Sequence, residues 1–345
     1  MSDRVAVTSR VVAVFGAAGH TGRFVVAELL RRGIRPIAIA RSADALAAAN
    51  FREPEVLCRP ATVDDEGSLL QALAGAGAVI NCAGPFLDTA DALAAAAVKL
   101  RIHYLDVSAE QPSVTTTLEK FDKPAREAGI AVIPGTGFYG GLADLLVTAV
   151  LGDWISADTI DILIGLDSWH PTRGTRVTGE RNKATRMVVA DGSLTPLPLP
   201  SAQKHWNFGA ALGEQLVSEM PFSEIVLISR HVKTSELHTY LSTAALTDIR
   251  DKTTPAPQAV DSTGRSAQRF VVDVIARREG ATRRIIARGQ DIYAFTAPLV
   301  CEVVERLVRQ QFSQAGAHAP GEILNAREVL TVLHPDHLEF EIAAS

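Results

Sequence analysis

At 345 residues, with 47% hydrophobic residues and a formal net charge of −5, the chain is long enough for two domains and should bury about three quarters of its unfolded surface. The charge and the lack of a long basic stripe argue against a nucleic-acid binder that works through phosphate contacts, and favour small-molecule chemistry. Cys58, Cys82 and Cys301 are odd in number, far apart and in no CxxC arrangement, which suggests neither a disulfide framework nor a metal site and fits a reducing cytoplasm. The first residues carry no signal-peptide pattern, and no apolar stretch reaches the ~18 residues of a membrane span, so a soluble cytoplasmic protein is expected.

Val11–Phe15 reads as an apolar strand. Gly16, Gly19 and Gly22 then form a GxxGxxG turn, within GAAGHTGR, into an amphipathic helix that ends near Gly33. A strand that turns sharply into a helix leaves unpaired N–H groups at the helix start, where the dipole also favours negative charge, so a dinucleotide pyrophosphate fits there. Gly16 permits the tight turn, Gly19 lets the backbone approach the phosphates, and Gly22 lets the helix pack close to the strand. Ala18, His20 and Thr21 complete that loop.

The second strand, residues 36–40, ends in Arg41-Ser42. A chain selecting NAD usually places Asp or Glu there to accept from the ribose 2′-OH, whereas Arg41 suits a 2′-phosphate. NADP (NADPH) is therefore the expected cofactor, with NAD as the alternative and a merely solvated strand-end arginine as the competing account. Asp44, the nearest acid, complements the dipole of the next helix behind an N-cap Ser42.

An alanine-rich helix (Ala43–Ala49), a short strand near residues 55–58, a helix opened by Asp64 and Asp65 and running through Leu73, and a strand at Ala78–Asn81 continue the α/β alternation. That last strand ends in a loop of small residues, Asn81, Cys82, Ala83, Gly84 and Pro85. Ligands of open parallel sheets lie beyond such carboxyl strand ends, so this loop suits the nicotinamide ribose, although Gly84-Pro85 also reads as a plain turn. A helix over 89–100, a strand over 103–107, a helix around 116–128 and a strand over 130–134 complete a doubly wound parallel sheet. The glycine-rich run 135–141 follows, suited to a hinge or to close approach by a ligand, and a helix over 142–151 leads into a second domain.

Beyond Trp154, strand-like runs succeed one another at 159–166, 224–231, 237–245, 270–276 and 283–287, with one substantial helical stretch at 179–190. Such succession implies an α+β domain on a mostly antiparallel sheet. Residues 195–203 and 251–268 read as surface loops, and helices over 298–311 and 325–333 should cover the sheet or pack back on the first domain. The expected division is a Rossmann NAD(P)-binding domain over 1–140 and an α+β substrate or dimerisation domain over 141–345.

GAAGHTGR, the strand-end Arg41, VINCAGPF (residues 79–86), HYLDVSAE (residues 103–110, similar to YLDxxGE), GTGF (residues 135–138) with Asp144 following, and two C-terminal runs (287–300 and 318–330) together resemble the saccharopine dehydrogenase-like oxidoreductases. The likeness is dense over the first 145 residues and thin between roughly 190 and 280. It implies an NAD(P)-binding domain followed by an antiparallel-sheet domain, with the cofactor in the cleft between them. Members include saccharopine reductases, which reduce an imine formed from an amino acid and a carbonyl partner, and enoyl reductases acting on lipids. Tyr139-Gly140 stands where the family often has Asp-Ser, and Ala109 replaces the glycine of YLDxxGE. Both departures lie where substrate is expected, so the family's substrate does not carry over.

Hydride transfer needs an electrophilic carbon facing the nicotinamide and, for an alcohol or saturated acyl product, a proton source. None of the four tyrosines lies in a YxxxK pattern, which favours reduction of C=N or activated C=C over ordinary alcohol oxidation. Tyr139 is the first candidate for an acid or substrate contact, with aromatic packing as the alternative. His170 is the second, with a surface turn as the alternative. Arg173 and Arg176, clustered with Arg181, Lys183 and Arg186, suit a carboxylate or acyl phosphate, or equally a solvated helix face. Asp106 and Glu110 order the loop beside the nicotinamide and are assigned no proton transfer. His103 reads as structural, and Pro335 between His334 and His337 argues against a metal pair. The expected protein is thus an NADPH-preferring oxidoreductase acting on a small or lipid-like molecule. The alternatives are an NADP(H)-binding redox sensor without turnover, or a scaffold subunit, and a homodimer is left open.

Overall fold

Short strands buried on both faces build a first sheet, and longer alternating strands build a second. The computed structural model describes residues 10–52, 54–311 and 314–344. The first half runs β1 (Val11–Phe15), α1 (His20–Arg31), β2 (Arg35–Ala40), α2 (Ala43–Ala49), β3 (Leu57–Pro60), α3 (Glu66–Leu73), β4 (Ala78–Asn81), α4 (Phe86–Leu100), β5 (His103–Asp106), α5 (Gln111–Ala128), β6 (Ala131–Ile133) and α6 (Ala143–Leu151). The second continues β7 (Ser156–Leu166), α7 (Arg173–Arg181), β8 (Met187–Ala190), β9 (Ser193–Pro196), β10 (Gln203–Asn207), β11 (Glu214–Glu219), α8 (Glu224–Ser229), β12 (Lys233–Ser242), α9 (Thr243–Arg250), β13 (Arg269–Arg278) and β14 (Ala281–Gln290). It closes with α10 (Ile292–Val308), β15 (Gly316–Ala317), α11 (Pro320–Ile323), α12 (Ala326–Leu333) and β16 (Glu339–Ala344).

The first sheet has the order β15-β6-β5-β4-β1-β2-β3 and is parallel throughout. Strand order reverses between β1 and β4, which opens a crevice at their carboxyl ends where a dinucleotide lies in such folds. Val25, Val26 and Leu29, spaced on one face of α1, are buried, and Gly33 at φ +68° ends that segment. Ser42 Oγ accepts from Ala45 N (3.2 Å) and Asp65 Oδ1 from Ser68 N (3.1 Å), capping α2 and α3.

The second sheet, β10-β11-β12-β7-β13-β14-β16, is antiparallel except where β12 meets β7. The expected Rossmann-plus-α+β class therefore holds. Helix α6 lies on β7, β13 and β14, with α12 beside it and α10 against α12 and β14.

Local readings depart from the sequence in instructive places. Residues 224–231, expected as a strand, contain the buried helix α8, because the short apolar run Ile225, Val226, Leu227 and Ile228 lacks the periodicity that separates the two. The helix expected over 179–190 lies earlier, as α7, and the chain is already extended at β8. The strand expected over 237–245 ends at Ser242, where α9 begins. The loop expected over 195–203 carries the end of β9. Helices α4 and α5 start earlier than expected, and α10 runs through Pro298 from an N-cap at Asp291, whose Oδ1 accepts from Tyr293 N and Ala294 N (both 3.0 Å).

The end of the chain returns to the first sheet. β15 pairs with β6, and α10 packs on α1 through a buried ionic cluster. Arg32, with a side chain only 8% exposed, binds Glu28 (2.6 Å), Glu302 (2.6 Å) and Glu305 (2.7 Å). Removing the guanidinium leaves three mostly buried carboxylates crowded together, with only Arg31, Arg306 and Arg309, among the described residues, at the edge of the cluster to balance them. Arg32→Ala is expected to destabilise the protein by about 3–5 kcal/mol, read as a fall in the urea midpoint.

Candidate functional site

The turn after β1 is built by steric exclusion. Gly16 has φ +81°, and a Cβ there would lie 2.9 Å from the Ala83 Cβ; a Cβ on Gly22 would lie 2.2 Å from the Gly16 carbonyl oxygen. Gly16 N and Ala17 N both donate to Ile39 O (2.9 and 3.0 Å), fixing the turn to β2. Gly19 is the N-cap of α1 and offers no side chain, so the first-turn N–H groups stay open to a ligand. Ala18 keeps its carbonyl occupied by Arg23 Nε (3.2 Å). His20 lies edge-on to Phe24 (5.3 Å) and Tyr293 (5.4 Å); burial lowers its pKa, and its Nε2 is buried with no partner among the described residues. Thr21 faces the cavity described below.

At the far end of β2, Arg41 is exposed and makes no hydrogen bond or ion pair among the described residues, while Ser42 is occupied in capping α2. A free guanidinium at that strand end, with no acid in the ribose position, matches the chemistry of a 2′-phosphate. Glycines that a Cβ would fill, an uncapped helix start and a free strand-end cation together fit a phosphorylated dinucleotide.

Across the switch point, Asn81 is fully buried and shapes the next loop. Its Oδ1 accepts from Ala83 N (3.0 Å), and its Nδ2 donates to Thr89 Oγ1 (3.0 Å) and Tyr104 OH (3.4 Å). Cys82 and Gly84 face the cavity, Ala83 packs under Gly16, and Pro85 leads through a cis peptide into α4. Burial pushes the Cys82 thiol well up, so it is a neutral wall group.

Asp106, at the end of β5, is the hub. Oδ1 accepts from Gly135 N (2.8 Å) and Ser108 N (3.0 Å), Oδ2 accepts from Tyr104 OH (2.9 Å), and its carbonyl accepts from Thr136 N (2.7 Å). Three consecutive strand ends are thereby tied together, and Glu110 and Tyr139 are delivered to one place. Burial raises the pKa of Asp106, with the Gly135 and Ser108 amides pulling the other way.

That place is a cavity of about 240 Å³ between the two sheets. Its floor is Thr21, Cys82, Gly84, Val107 and Glu110, and its walls are largely aromatic: Phe86, Phe138, Tyr139, Trp169, Phe222 and Tyr293. The Tyr139 ring lies between Trp169 (5.3 Å) and Phe222 (4.3 Å), and its hydroxyl is buried with no partner among the described residues. Burial raises the Tyr139 pKa, so it remains a phenol. Tyr293 OH accepts from Trp169 Nε1 (2.9 Å) and shares a hydrogen bond with Thr175 Oγ1 (2.9 Å), holding the chain after β7 against α10.

His170, Arg173 and Arg176 are not brought to the cavity wall. His170 turns toward Pro255 O (3.3 Å), Arg173 is exposed on the outer face of α7, and Arg176 is spent on the carbonyls of Asp251 (3.2 Å) and Thr254 (2.7 Å). Of that basic cluster only Arg186 lines the cavity. Its Nη1 donates to Pro221 O (2.6 Å), its guanidinium lies 5.2 Å from the Phe222 ring centre, and it has no ion-pair partner among the described residues. Burial pulls its pKa down, against a weaker opposing effect of Glu224. Trp169 and Phe222 carried no sequence signal beyond being aromatic, and nothing local marked Arg186 out from its neighbours.

Residues 12–133 match the family described as the saccharopine dehydrogenase NADP binding domain. That match runs through the first sheet, from β1 to the end of β6. The expected resemblance to saccharopine dehydrogenase-like oxidoreductases is also seen in individual relatives. The chain is 25% identical over 173 residues to a probable mitochondrial saccharopine dehydrogenase-like oxidoreductase of Arabidopsis thaliana, covering 45% of this chain and 38% of that one. It is 28% identical over 150 residues to a saccharopine dehydrogenase-like oxidoreductase of Bos taurus (38% and 35%), and 29% identical over 146 residues to a lipid droplet localized protein of Caenorhabditis elegans (39% and 34%). The matched stretches thus span little more than a third of these relatives. Over nearly its whole length the chain shares the fold of saccharopine dehydrogenase (L-Glu forming) from Saccharomyces cerevisiae, with a TM-score of 0.65 and 12% identity over 96% of this chain and 99% of that one. No described helix is long and apolar enough to cross a membrane.

The site depends on Asp106 for its shape. Asp106→Ala leaves two amides and a phenol without their acceptor in a dry interior and is expected to cost about 3–5 kcal/mol in urea unfolding. Asp106→Asn keeps an acceptor for the amides and should cost less than half as much.

Proposed function

We propose that the protein is an NADPH-dependent reductase that delivers hydride to a C=N or an activated C=C bond of a small or lipid-like molecule. The observation that carries this reading is that the cofactor cleft and the aromatic cavity share a wall. Thr21 from the first turn of α1 and Cys82 and Gly84 from the β4 loop line the same space as Tyr139, Trp169 and Phe222. A substrate in that space lies within reach of the nicotinamide end of a bound dinucleotide.

When bound, NADPH supplies the hydride. The chain's own residues do the rest. The first-turn N–H groups of α1, left open by the side-chain-free Gly19, hold the pyrophosphate, and Arg41 pairs with the 2′-phosphate. The aromatic walls exclude water, which favours hydride transfer over side reactions. Arg186, a cation without a counter-ion at a mostly apolar wall, favours a substrate with an anionic end, because an unpaired cation gains most from a partner where water is scarce. Cys82 and Tyr139 stay neutral and carry no charge into the hydride path.

Two measurements test the reading. Arg41→Ala is expected to weaken NADPH binding by roughly 1.5–3 kcal/mol while leaving NADH nearly unchanged, read by cofactor fluorescence titration. Equal losses for both cofactors would reject the 2′-phosphate role. Oxidation of NADPH is expected with at least one member of a panel of cyclic imines, enoyl thioesters and conjugated ketones, and Arg186→Leu should raise KM tenfold or more, on the order of one lost charge-assisted hydrogen bond, for anionic members only. Tight NADPH binding with no turnover across the panel would favour a redox sensor instead.

A further inference from the structure

Glu110 sits where three pieces of the site meet. It is the N-cap residue of α5, it touches the first turn of α4, and it lines the cavity. Only 2% of the residue is exposed. Its backbone N donates to Ser108 Oγ (3.1 Å), and its Oε1 accepts from Phe86 N (2.7 Å), so one oxygen is anchored. Oε2 is buried and has no partner among the described residues. Buried polar atoms are nearly always paired, and an unpaired one at a ligand cavity marks where a ligand atom belongs.

The surroundings push the carboxyl toward its neutral form. Glu110 faces Asp106 from β5 and Asp88 from α4, both of which disfavour a second negative charge, and Asp88 is already paired with Arg181. Arg186, on the opposite half of the cavity, makes no ion pair with it. Burial raises the Glu110 pKa, outweighing the amides of Phe86 and Leu87 that favour the anion. Because Oε1 accepts from the Phe86 amide, a proton on this carboxyl would sit on Oε2, the oxygen left without a partner among the described residues.

We propose that Glu110 is a neutral carboxylic acid whose Oε2–H meets the substrate and supplies the proton that accompanies hydride delivery. This rests on the reductase reading above. Hydride carries two electrons from the reduced nicotinamide to the electrophilic carbon, and the π pair of C=N or C=C moves to the far atom. That atom takes the proton from Oε2, leaving Glu110 ionised until water reprotonates it; NADPH is oxidised and the substrate reduced. Tyr139, the other unpartnered hydroxyl of the cavity, is a far weaker acid and serves as a hydrogen-bond contact.

The test compares the full-length protein with Glu110→Gln, whose amide oxygen still accepts from Phe86 N. Infrared difference spectra at neutral pH are expected to show the carbonyl stretch of a protonated carboxylic acid in the wild type that is missing in E110Q. NADPH oxidation with 1-pyrroline-2-carboxylate, or with crotonyl-CoA, should fall about 10²–10⁴-fold in kcat with KM changed less than about threefold, and with an unchanged melting temperature. A residue that only caps α4 would leave kcat where it was. Loss of no infrared band in E110Q, or a kcat within about threefold of the wild type, overturns the assignment. A wild type that oxidises NADPH with no member of the imine, enoyl thioester and conjugated ketone panel defeats the reductase reading, and the infrared comparison then decides the state of Glu110 by itself.

Discussion

A single buried carboxylate at the end of β5 sets the geometry of the whole active region. Asp106 binds the amides that begin the loops after β5 and β6, and it receives the hydroxyl of Tyr104, which in turn meets Asn81 at the end of β4. Parallel strands place their carboxyl ends side by side, yet the loops beyond them have no ladder to fix their paths. This chain of hydrogen bonds replaces the ladder. It carries Glu110 on one loop and Tyr139 on the next to the same chamber, and its cost in desolvation is offset because each oxygen of Asp106 has a donor.

The second half closes the chamber by packing rather than by charge. Tyr139 lies between Trp169 and Phe222, and Phe138 packs edge-on to Phe270 (4.7 Å), so the aromatic residues of the 138–139 turn interlock with those of the second sheet and its loops. Among the described residues, few polar groups at the chamber wall lack their partners: a guanidinium without an ion pair, a carboxyl anchored through one oxygen and a phenol with none, beside threonine hydroxyls and the Asn182 amide. Such a sparse set on an apolar wall orients a ligand strongly, because each unsatisfied group gains most from a partner in a medium that excludes water.

The nucleotide half was legible in the sequence because its constraints are local. Gly16 and Gly22 are needed for contacts within a few residues or with the neighbouring strand, and Arg41 takes its meaning from its place at the end of β2. The chamber was legible only in part. Tyr139 was visible as the aromatic in a glycine-rich loop, but His170, Arg173 and Arg176 point elsewhere, while Arg186 is selected by its tertiary path past Pro221 and Phe222. Glu110 was read as ordering a loop; its unpaired oxygen emerges only when α4 and α5 come together. Helix α8 escaped detection for a different reason. Ile225, Val226, Leu227 and Ile228 are all buried, so no solvent-facing side remained to reveal a helical period.

The return of the chain to its beginning shapes how the protein is made. β15 completes the far edge of the first sheet beside β6, and Arg32 near the end of α1 awaits Glu302 and Glu305 of α10. On the ribosome, the nucleotide-binding half therefore emerges with one sheet edge open and a buried cation still lacking most of its counter-ions. It cannot reach its final form until nearly all of the second half has been synthesised, so a nascent chain stalled at mid-length would present an adhesive edge to chaperones.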